Sequence, residues 1–158
     1  MSDFDDRPNR IPWPPIILVA AIAVSLLINQ FLPSGWLPSP FSDILFGLGW
    51  LTIGVAILLD VLTMRTLRQA KTTIMPTKRS SHLVMTGPFA ISRNPIYVAN
   101  VMIVFGLGLV TQIVWFIPIA IFAGWLTQKL AIEREEEHLA HHFGKRYRDY
   151  MKKVRRWF

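Results

Sequence analysis

The apolar run "IILVAAIAVSLLINQFL", residues 16–32, decides the class of fold, because it holds no charged side chain over 17 residues. A helix needs roughly 20 apolar residues to cross the hydrocarbon core of a bilayer, so this run has about the minimum length. Pro14 and Pro15 precede the run and Pro33 follows it. No small-residue cleavage pattern follows the acidic start "MSDFDD", so we expect a retained membrane-spanning helix rather than a signal peptide.

The overall composition also indicates a lipid environment. Of the 158 residues, 52% are hydrophobic, and the net charge is +7. The basic residues flank the apolar runs, so we expect them to contact anionic lipid headgroups and expect no nucleic-acid partner. The chain has no cysteine, which excludes disulfides, thiolate metal ligands and cysteine nucleophiles.

Two further apolar regions follow. Residues 44–64 are apolar except for Asp60, and they contain Gly47, Gly49 and Gly54, whose spacing predicts close approach of another helix. Residues 98–130 are too short for two full spans, which need about 40 residues, so they predict a tight helical hairpin with one short or tilted arm. The loop between these two regions starts at residue 65, and its first 20 residues contain five Lys or Arg and no acid. The positive-inside rule therefore predicts that this loop and the N-terminus face the cytoplasm.

The last 28 residues are highly charged, with a helical pattern of apolar and aromatic side chains. These recur at mostly three- and four-residue intervals, at Ile132, Leu139, Phe143, Tyr147, Tyr150 and Val154. The pattern predicts an amphipathic helix at the cytoplasmic membrane surface. We interpret Tyr147, Tyr150 and Trp157 as packing groups at that interface.

The predicted fold is therefore an all-α, polytopic membrane bundle of about four transmembrane helices and one surface helix. We treat residues 1–158 as a single domain. Its parts are two N-terminal helices (1–64), a basic loop with a polar motif (65–97), a helical hairpin (98–130) and the amphipathic helix (131–158).

The polar stretch "TGPFAISRNPIY", residues 86–97, lies at the mouth of the hairpin. Pro95 fixes its own φ and pushes Asn94 out of the α region, so Arg93 is presented from an irregular turn. Irregular backbone at this depth is tolerated where it is buried in protein or lines a polar cavity. Two interpretations stay open, namely a turn whose arginine pairs with headgroup phosphate, and one wall of a ligand site.

A second polar cluster, "EREEEHLAHH" (133–142), follows the hairpin. A charge run usually forms a solvated helix face with pairs along the helix. Its position at the inner end of the hairpin, where Arg93 also arrives, favours a functional site. Glu135 and His138 have the spacing of half a carboxylate-bridged metal site, but such a site needs a second copy of the motif, so we expect no metal.

Together, "SHLVMTGPFAISRNPIY" (81–97) and "IEREEEHLAHHFGKRYRDYMKKVRRW" (132–157) resemble the isoprenylcysteine carboxyl methyltransferase family and the similar membrane phospholipid methyltransferases. The resemblance covers roughly the last half of the chain and rests on two separated motifs in the same order and spacing. It implies an enzyme that binds S-adenosylmethionine on the cytosolic side and receives a lipid-like acceptor from the bilayer.

The resemblance also implies a cofactor pocket and a catalytic pair. The implied cofactor contacts are Ser81, His82, Leu83, Val84, Phe89, Asn94, Pro95, Ile96, Tyr97 and Glu135. Arg93 and Glu136 match the motifs as the catalytic residues beside the reacting groups. Because S-adenosylmethionine has an amino acid head, we expect a carboxylate such as Glu135 to hold its ammonium and Arg93 or backbone N–H groups to hold its carboxylate.

The chain departs from the family's pattern at three positions. Asn94 stands where His is frequent, and Phe89 stands where Tyr is common. Ala131 stands one helical turn before the carboxylates, where the eukaryotic enzymes have a substrate-contacting arginine. Lys129 and Arg134 are the nearest cations, although on a helix neither points in the direction of Ala131.

We therefore expect methyl transfer from S-adenosylmethionine to a small lipophilic or membrane-bound acceptor, with membrane lipids as neighbours and no obligate protein partner. Two alternatives stay open. One is an NADPH-dependent membrane reductase of the sterol reductase type, and the other is a non-enzymatic membrane adaptor whose charged tail binds lipids or partners. We expect the chain in the inner or plasma membrane, with both termini and the site on the cytoplasmic side.

Overall fold

The computed structural model describes residues 11–70 and 83–158, and in this part of the chain all regular secondary structure is helical. The helices are α1 (Trp13–Phe31), α2 (Phe41–Gln69), α3 (Pro95–Thr111), α4 (Phe116–Thr127), α5 (Glu133–Phe143) and α6 (Lys145–Lys153). The prediction of an all-α membrane protein is confirmed.

Three helical stretches in the described residues are long and apolar enough to cross a membrane. They are α1, α2 and the continuous stretch Phe116–Phe143, in which a π-helical turn over Gln128–Ile132 joins α4 to α5. Helix α3 has 17 residues, which corresponds to about 26 Å, so it is the shorter arm of the hairpin that it forms with the continuous stretch Phe116–Phe143. The number of four transmembrane helices stays a prediction.

The outer surface of the bundle is apolar. Val19 on α1, Leu51 on α2 and Ile121 on α4 are 66%, 62% and 70% exposed, and many other large apolar side chains on these helices are also exposed. Contiguous apolar surface of this kind is rare on soluble monomers, because water solvates it poorly, whereas lipid tails do not penalise it. The outward faces therefore fit an integral membrane protein.

The core of the bundle joins α1, α3 and α4. Its buried apolar residues are Ile17, Ala21, Val104, Phe116, Ala120 and Ala123. The hairpin turn places Gln112 in the left-handed region with a φ of 60°, and the Trp115 side chain donates a hydrogen bond of 2.8 Å to the Leu32 carbonyl. The turn is thereby fixed to the end of α1.

Helix α2 packs against α3 along a line of small residues. Gly49, Ala56 and Thr63 are buried and lie seven residues apart, so they share one face of the helix. Small side chains on this face allow the two backbones to approach closely, as is common between membrane helices.

Only one of the three glycines predicted to mediate this contact does so. A Cβ atom on Gly49 would lie 2.8 Å from Val110 Cγ2 and 2.9 Å from Leu109 Cβ, whereas at Gly47 and Gly54 no neighbour among the described residues lies within 4 Å of that position. The prediction was wrong for Gly47 and Gly54 because residues two and five positions from Gly49 point to other faces of the helix.

The substitution Gly49→Ala is expected to destabilise the protein by about 1–3 kcal/mol, because the added methyl group forces α2 and α3 apart. The matched substitution Gly54→Ala should be neutral or stabilising, since alanine is the better helix former and the site is open. Denaturant titration in detergent micelles measures both effects. Equal stability of the two variants would contradict the close contact at Gly49.

The C-terminal region is not the single amphipathic helix that the sequence pattern predicts. Gly144 has a φ of +57°, a conformation that glycine adopts without strain, and it separates α5 from α6. Tyr147 and Tyr150 on α6 are only 2% and 6% exposed, so they pack inside the protein and not at a lipid interface. After α6 the chain becomes extended at Val154, and we call residues 154–157 the C-terminal strap.

Candidate active site

The polar stretch of residues 86–97, which we call the polar turn, is fixed between α2 and α3. Gly87 opens it with a φ of +63°, and a Cβ atom there would lie 3.0 Å from Thr66 Oγ1 of α2. A short 3-10 helix covers Gly87–Ala90, and Pro95 begins α3. Proline is suited to the first position of a helix, because the N–H that it lacks would have no partner within the helix there. Arg93 therefore extends from irregular chain that is held on both sides.

Arg93 forms an ion pair with Glu136 of α5, with 2.8 Å between Nη2 and Oε1. The two side chains are 11% and 10% exposed. Arg93 Nη1 also donates to the Met151 carbonyl at 3.2 Å. The arrangement found is thus a protein ion pair, and not the pairing of Arg93 with lipid phosphate that was the other interpretation of this turn.

A second guanidinium binds the same carboxylate. Arg156 Nη2 lies 2.7 Å from Glu136 Oε2, and Arg156 Nε lies 3.2 Å from each carboxylate oxygen. The hydrogen bonds to Glu136 raise the pKa of Arg156 above its ordinary value. Glu136 is held between two permanent cations, so both of its oxygens are used in charge-assisted hydrogen bonds.

Glu135, the neighbouring carboxylate, makes a separate contact with α3. The Tyr97 hydroxyl donates a hydrogen bond of 2.8 Å to Glu135 Oε2. Among the described residues, Glu135 Oε1 makes no hydrogen bond or ion pair. The pair therefore joins the two motifs and leaves one carboxylate oxygen for a cation.

The π-helical turn over Gln128–Ile132 directly precedes these carboxylates. Such a turn adds one residue to a helical turn and therefore rotates the side chains that follow it, and it is frequent at functional sites. Ala131 lies in this turn and is fully buried, so the arginine that the family pattern suggests there has no equivalent at this position.

The two candidate replacements for that arginine are placed elsewhere. Lys129 pairs with Glu133 at 2.8 Å, and Arg134 is exposed. Arg156 is the cation that joins Arg93 at Glu136, which we call the central carboxylate. The sequence did not single out Arg156. The only signal was the pair Arg155 and Arg156 at the end of the second stretch of the resemblance, which neither the resemblance nor a local pattern pairs with a carboxylate.

Two of the expected cofactor residues serve as structural contacts in the polar turn. Asn94 Nδ2 donates to the Arg156 carbonyl at 3.0 Å, and Asn94 is 8% exposed. The Phe89 carbonyl accepts a 2.6 Å hydrogen bond from the Tyr150 hydroxyl. Both contacts tie the turn to the C-terminal region.

Four further expected cofactor residues lie within or just before this turn. Pro95 is buried and Ile96 is half-buried in the first turn of α3. Leu83 and Val84 are half-buried before the turn. Ser81 and His82 lie outside the residues that the structure describes.

Tyr150 gives a stability prediction that depends on pH. Burial raises the pKa of Tyr150 from 10.0 to about 12, although the nearby Arg93 partly opposes the shift. A raised pKa means that the folded state favours the neutral phenol, so this stabilisation is complete below pH 10 and is lost as the pH rises towards 12. Tyr150→Phe should cost about 1 kcal/mol at neutral pH and flatten the alkaline loss. Unfolding curves between pH 8 and about 12 test this, and an unchanged alkaline profile in the variant would count against it.

A groove of about 280 Å³ lies between α3 and α4, and Trp157, the neighbour of Arg156, is one of its lining residues. Its walls are apolar, and its lining residues include Val101, Ile121 and Trp125. Its polar lining residues are Gln128 and Trp157, which are joined by a hydrogen bond of 2.9 Å from the indole nitrogen to the amide oxygen. The strap thus contributes one wall of a groove that is otherwise built from membrane helices.

Over residues 44–146 the chain matches the phospholipid methyltransferase family. The chain belongs to this family. The match includes the polar turn and the carboxylates of α5, so the Arg93–Glu136 and Tyr97–Glu135 pairs lie within the family region. It ends in the first turn of α6, so the strap lies outside it. The resemblance seen in the two motifs is confirmed.

One curated relative of this phospholipid methyltransferase family member is the nickel-cobalt-cadmium resistance protein NccN of Alcaligenes xylosoxydans xylosoxydans. The two are 32% identical over 81 residues, which is 51% of this chain and 38% of NccN. The chain thus covers well under half of that relative. No solved structure matches the chain.

Proposed function

We propose that this member of the phospholipid methyltransferase family transfers a methyl group from S-adenosylmethionine to a small lipophilic or membrane-bound acceptor. The observation that carries the proposal is the meeting of two distant motifs. Arg93 and Tyr97 of the first contact Glu136 and Glu135 of the second, at the end of the apolar hairpin and inside the family region.

The side chains at this point fit the chemistry of the cofactor. Glu135 offers a carboxylate oxygen to an ammonium or sulfonium, as described above. Arg93 Nε is buried and has no hydrogen-bond partner within the described residues, so this N–H is free to donate to the cofactor's carboxylate. When bound, S-adenosylmethionine supplies an electrophilic methyl group.

The chain's own contribution is mainly positioning. Methyl transfer from a sulfonium needs an aligned nucleophile and a dry site more than acid or base catalysis. Glu136 suits this role because its two oxygens are occupied by Arg93 and Arg156. It orients Arg93 and does not act as a general base.

The acceptor reaches the site from the lipid phase. Candidates are a prenylcysteine-like carboxylate, a phospholipid amine or another lipophilic nucleophile. The apolar groove between α3 and α4 supports this route, because it leads from exposed Ile121 and Trp125 to the polar pair of Gln128 and Trp157.

The site faces the cytoplasm in this proposal. The exposed cations of α6 are Lys145, Arg146, Arg148, Lys152 and Lys153. Such clusters next to membrane helices favour the cytoplasmic side and the anionic lipids there. In this proposal both termini face the cytoplasm, and the protein lies in the inner or plasma membrane.

Calorimetric titration of the detergent-purified protein with S-adenosylmethionine, S-adenosylhomocysteine and NADPH tests the proposal. We expect saturable binding of the first two ligands and none of NADPH. Binding of NADPH alone would favour the reductase alternative, and no binding of any of the three would favour the adaptor. Extraction of labelled methyl products from membranes incubated with labelled S-adenosylmethionine then identifies the class of acceptor.

A further inference from the structure

The C-terminal strap is attached to the polar turn. Ser92 and Arg155 form an isolated parallel β-bridge, and the Arg93 backbone N–H donates to the Arg155 carbonyl at 3.0 Å. Asn94 Nδ2 and Ser92 Oγ donate to the Arg156 carbonyl at 3.0 and 3.2 Å. Ser92 and Asn94 are 4% and 8% exposed, so these bonds are shielded from water.

The same strap is attached to the carboxylate-bearing helix and its π-helical turn. The Arg156 guanidinium binds Glu136, as described above, and lies 3.7 Å from Glu133. Trp157 donates to Gln128, which lines the apolar groove. Three consecutive strap residues therefore link the polar turn, α5 and the groove.

The strap adds a second guanidinium at the central carboxylate, Glu136, and this fixes the orientation of that carboxylate. A single guanidinium from Arg93 would leave Glu136 with one cation at one oxygen, free to rotate about its terminal bond. Arg156 engages both oxygens from another direction, so the carboxylate plane is fixed. A fixed Glu136 in turn fixes the orientation of Arg93.

We propose that the C-terminal strap is part of the active site and that Arg156 is a positioning residue, which acts through Glu136 to hold Arg93 in its binding orientation. The proposal rests on the proposed function, in which Arg93 contacts the cofactor. It concerns residues beyond the family region, which ends at residue 146.

Three variants test the role of Arg156. Arg156→Gln removes the cation, Arg156→Lys keeps the charge but not the two-pronged geometry, and Lys153→Gln removes one exposed cation just before the strap. We expect Arg156→Gln to weaken S-adenosylhomocysteine binding by about tenfold or more, with Arg156→Lys intermediate and Lys153→Gln equal to the wild type. Titration is performed well below the midpoint of thermal unfolding of each variant.

Hydrogen exchange of the peptide that covers residues 89–97 gives a readout that is independent of the cofactor. In Arg156→Gln we expect faster exchange there, while exchange in the α1, α3 and α4 core is unchanged. Faster exchange throughout the protein would mean a general loss of stability and would overturn a specific positioning role, as would wild-type exchange in this peptide.

The outcomes separate this proposal from the proposed function. If the wild type binds S-adenosylhomocysteine and Arg156→Gln binds it equally well, the positioning role fails and the methyltransferase function stands. If the wild type binds no S-adenosylhomocysteine, the proposed function fails, and the exchange of residues 89–97 alone decides whether the strap holds the turn. If Arg156→Gln cannot be purified, Arg156→Lys decides, since wild-type affinity and exchange in that variant would overturn the need for a guanidinium.

Discussion

Replacing Glu136 with alanine is expected to destabilise the protein by about 3–5 kcal/mol, the range for removing one partner of a buried ion pair. The loss leaves the Arg93 guanidinium, which is 11% exposed, without a carboxylate in a site that water barely reaches. Arg156 is 30% exposed, so its charge can turn towards solvent at lower cost. The uncompensated charge of Arg93 is therefore the main source of the effect.

The matched control is Glu137→Ala, because Glu137 lies on the same helix and is exposed. Exposed pairs contribute about 0–1 kcal/mol, so this variant should unfold close to the wild type in denaturant titrations in detergent. If Glu136→Ala costs no more than Glu137→Ala, the Arg93–Glu136 pair is not a buried pair in solution. The double variant Arg93→Met, Glu136→Met should regain part of the stability, since it leaves no unpaired charge at the buried position of Arg93, and Arg156 can turn towards solvent.

The membrane helices could be predicted because their signal is local. An uncharged run such as residues 16–32 has to be a span or a buried helix whatever it packs against, and the structure has α1 over Trp13–Phe31. Helix α2 continues to Gln69, beyond the predicted end at residue 64, because the basic residues after Met64 end the apolar run but do not end the helix. Charge marks a membrane boundary and not a helix terminus.

The C-terminal region could not be predicted in the same way, because its contacts join residues that are far apart in sequence. Asn94 and Arg156 are separated by 62 positions and Phe89 and Tyr150 by 61, and a local pattern carries no information on such pairs. The amphipathic period was read correctly as helix, but it does not say whether lipid or protein covers the apolar face. The buried tyrosines of α6 show that protein covers it.

The candidate site could be predicted in part. The two motifs were expected to meet because each lies at the same end of the hairpin, and the Arg93–Glu136 ion pair brings them together. The third member, Arg156, was missed because it lies at the end of the second stretch, where the resemblance assigns it no role. A search for unpaired cations near a carboxylate cluster would have singled out nine Lys and Arg residues after residue 128, with no basis for choosing among them.

Replacing Glu135 with glutamine is expected to weaken binding of S-adenosylmethionine and S-adenosylhomocysteine by about 2 kcal/mol, or roughly thirtyfold, if its carboxylate holds the ammonium that both ligands carry. Glutamine has nearly the same shape, and its amide oxygen still accepts the hydrogen bond from the Tyr97 hydroxyl, which spans 2.8 Å in the wild type. The variant therefore removes the charge with little change in packing. Calorimetric titration with S-adenosylhomocysteine measures the loss without turnover.

Glu137→Gln removes the same charge from an exposed position on the same helix, so it controls for the general field of α5 and should bind with wild-type affinity. Tyr97→Phe removes only the hydroxyl that orients Glu135, and we expect a smaller loss, because the charge remains. This order of affinities, with Glu135→Gln weakest and Tyr97→Phe intermediate, distinguishes direct contact from orientation. Equal losses in Glu135→Gln and Glu137→Gln would mean that the cofactor senses only the summed negative charge of α5, and its cation would then lie away from Glu135.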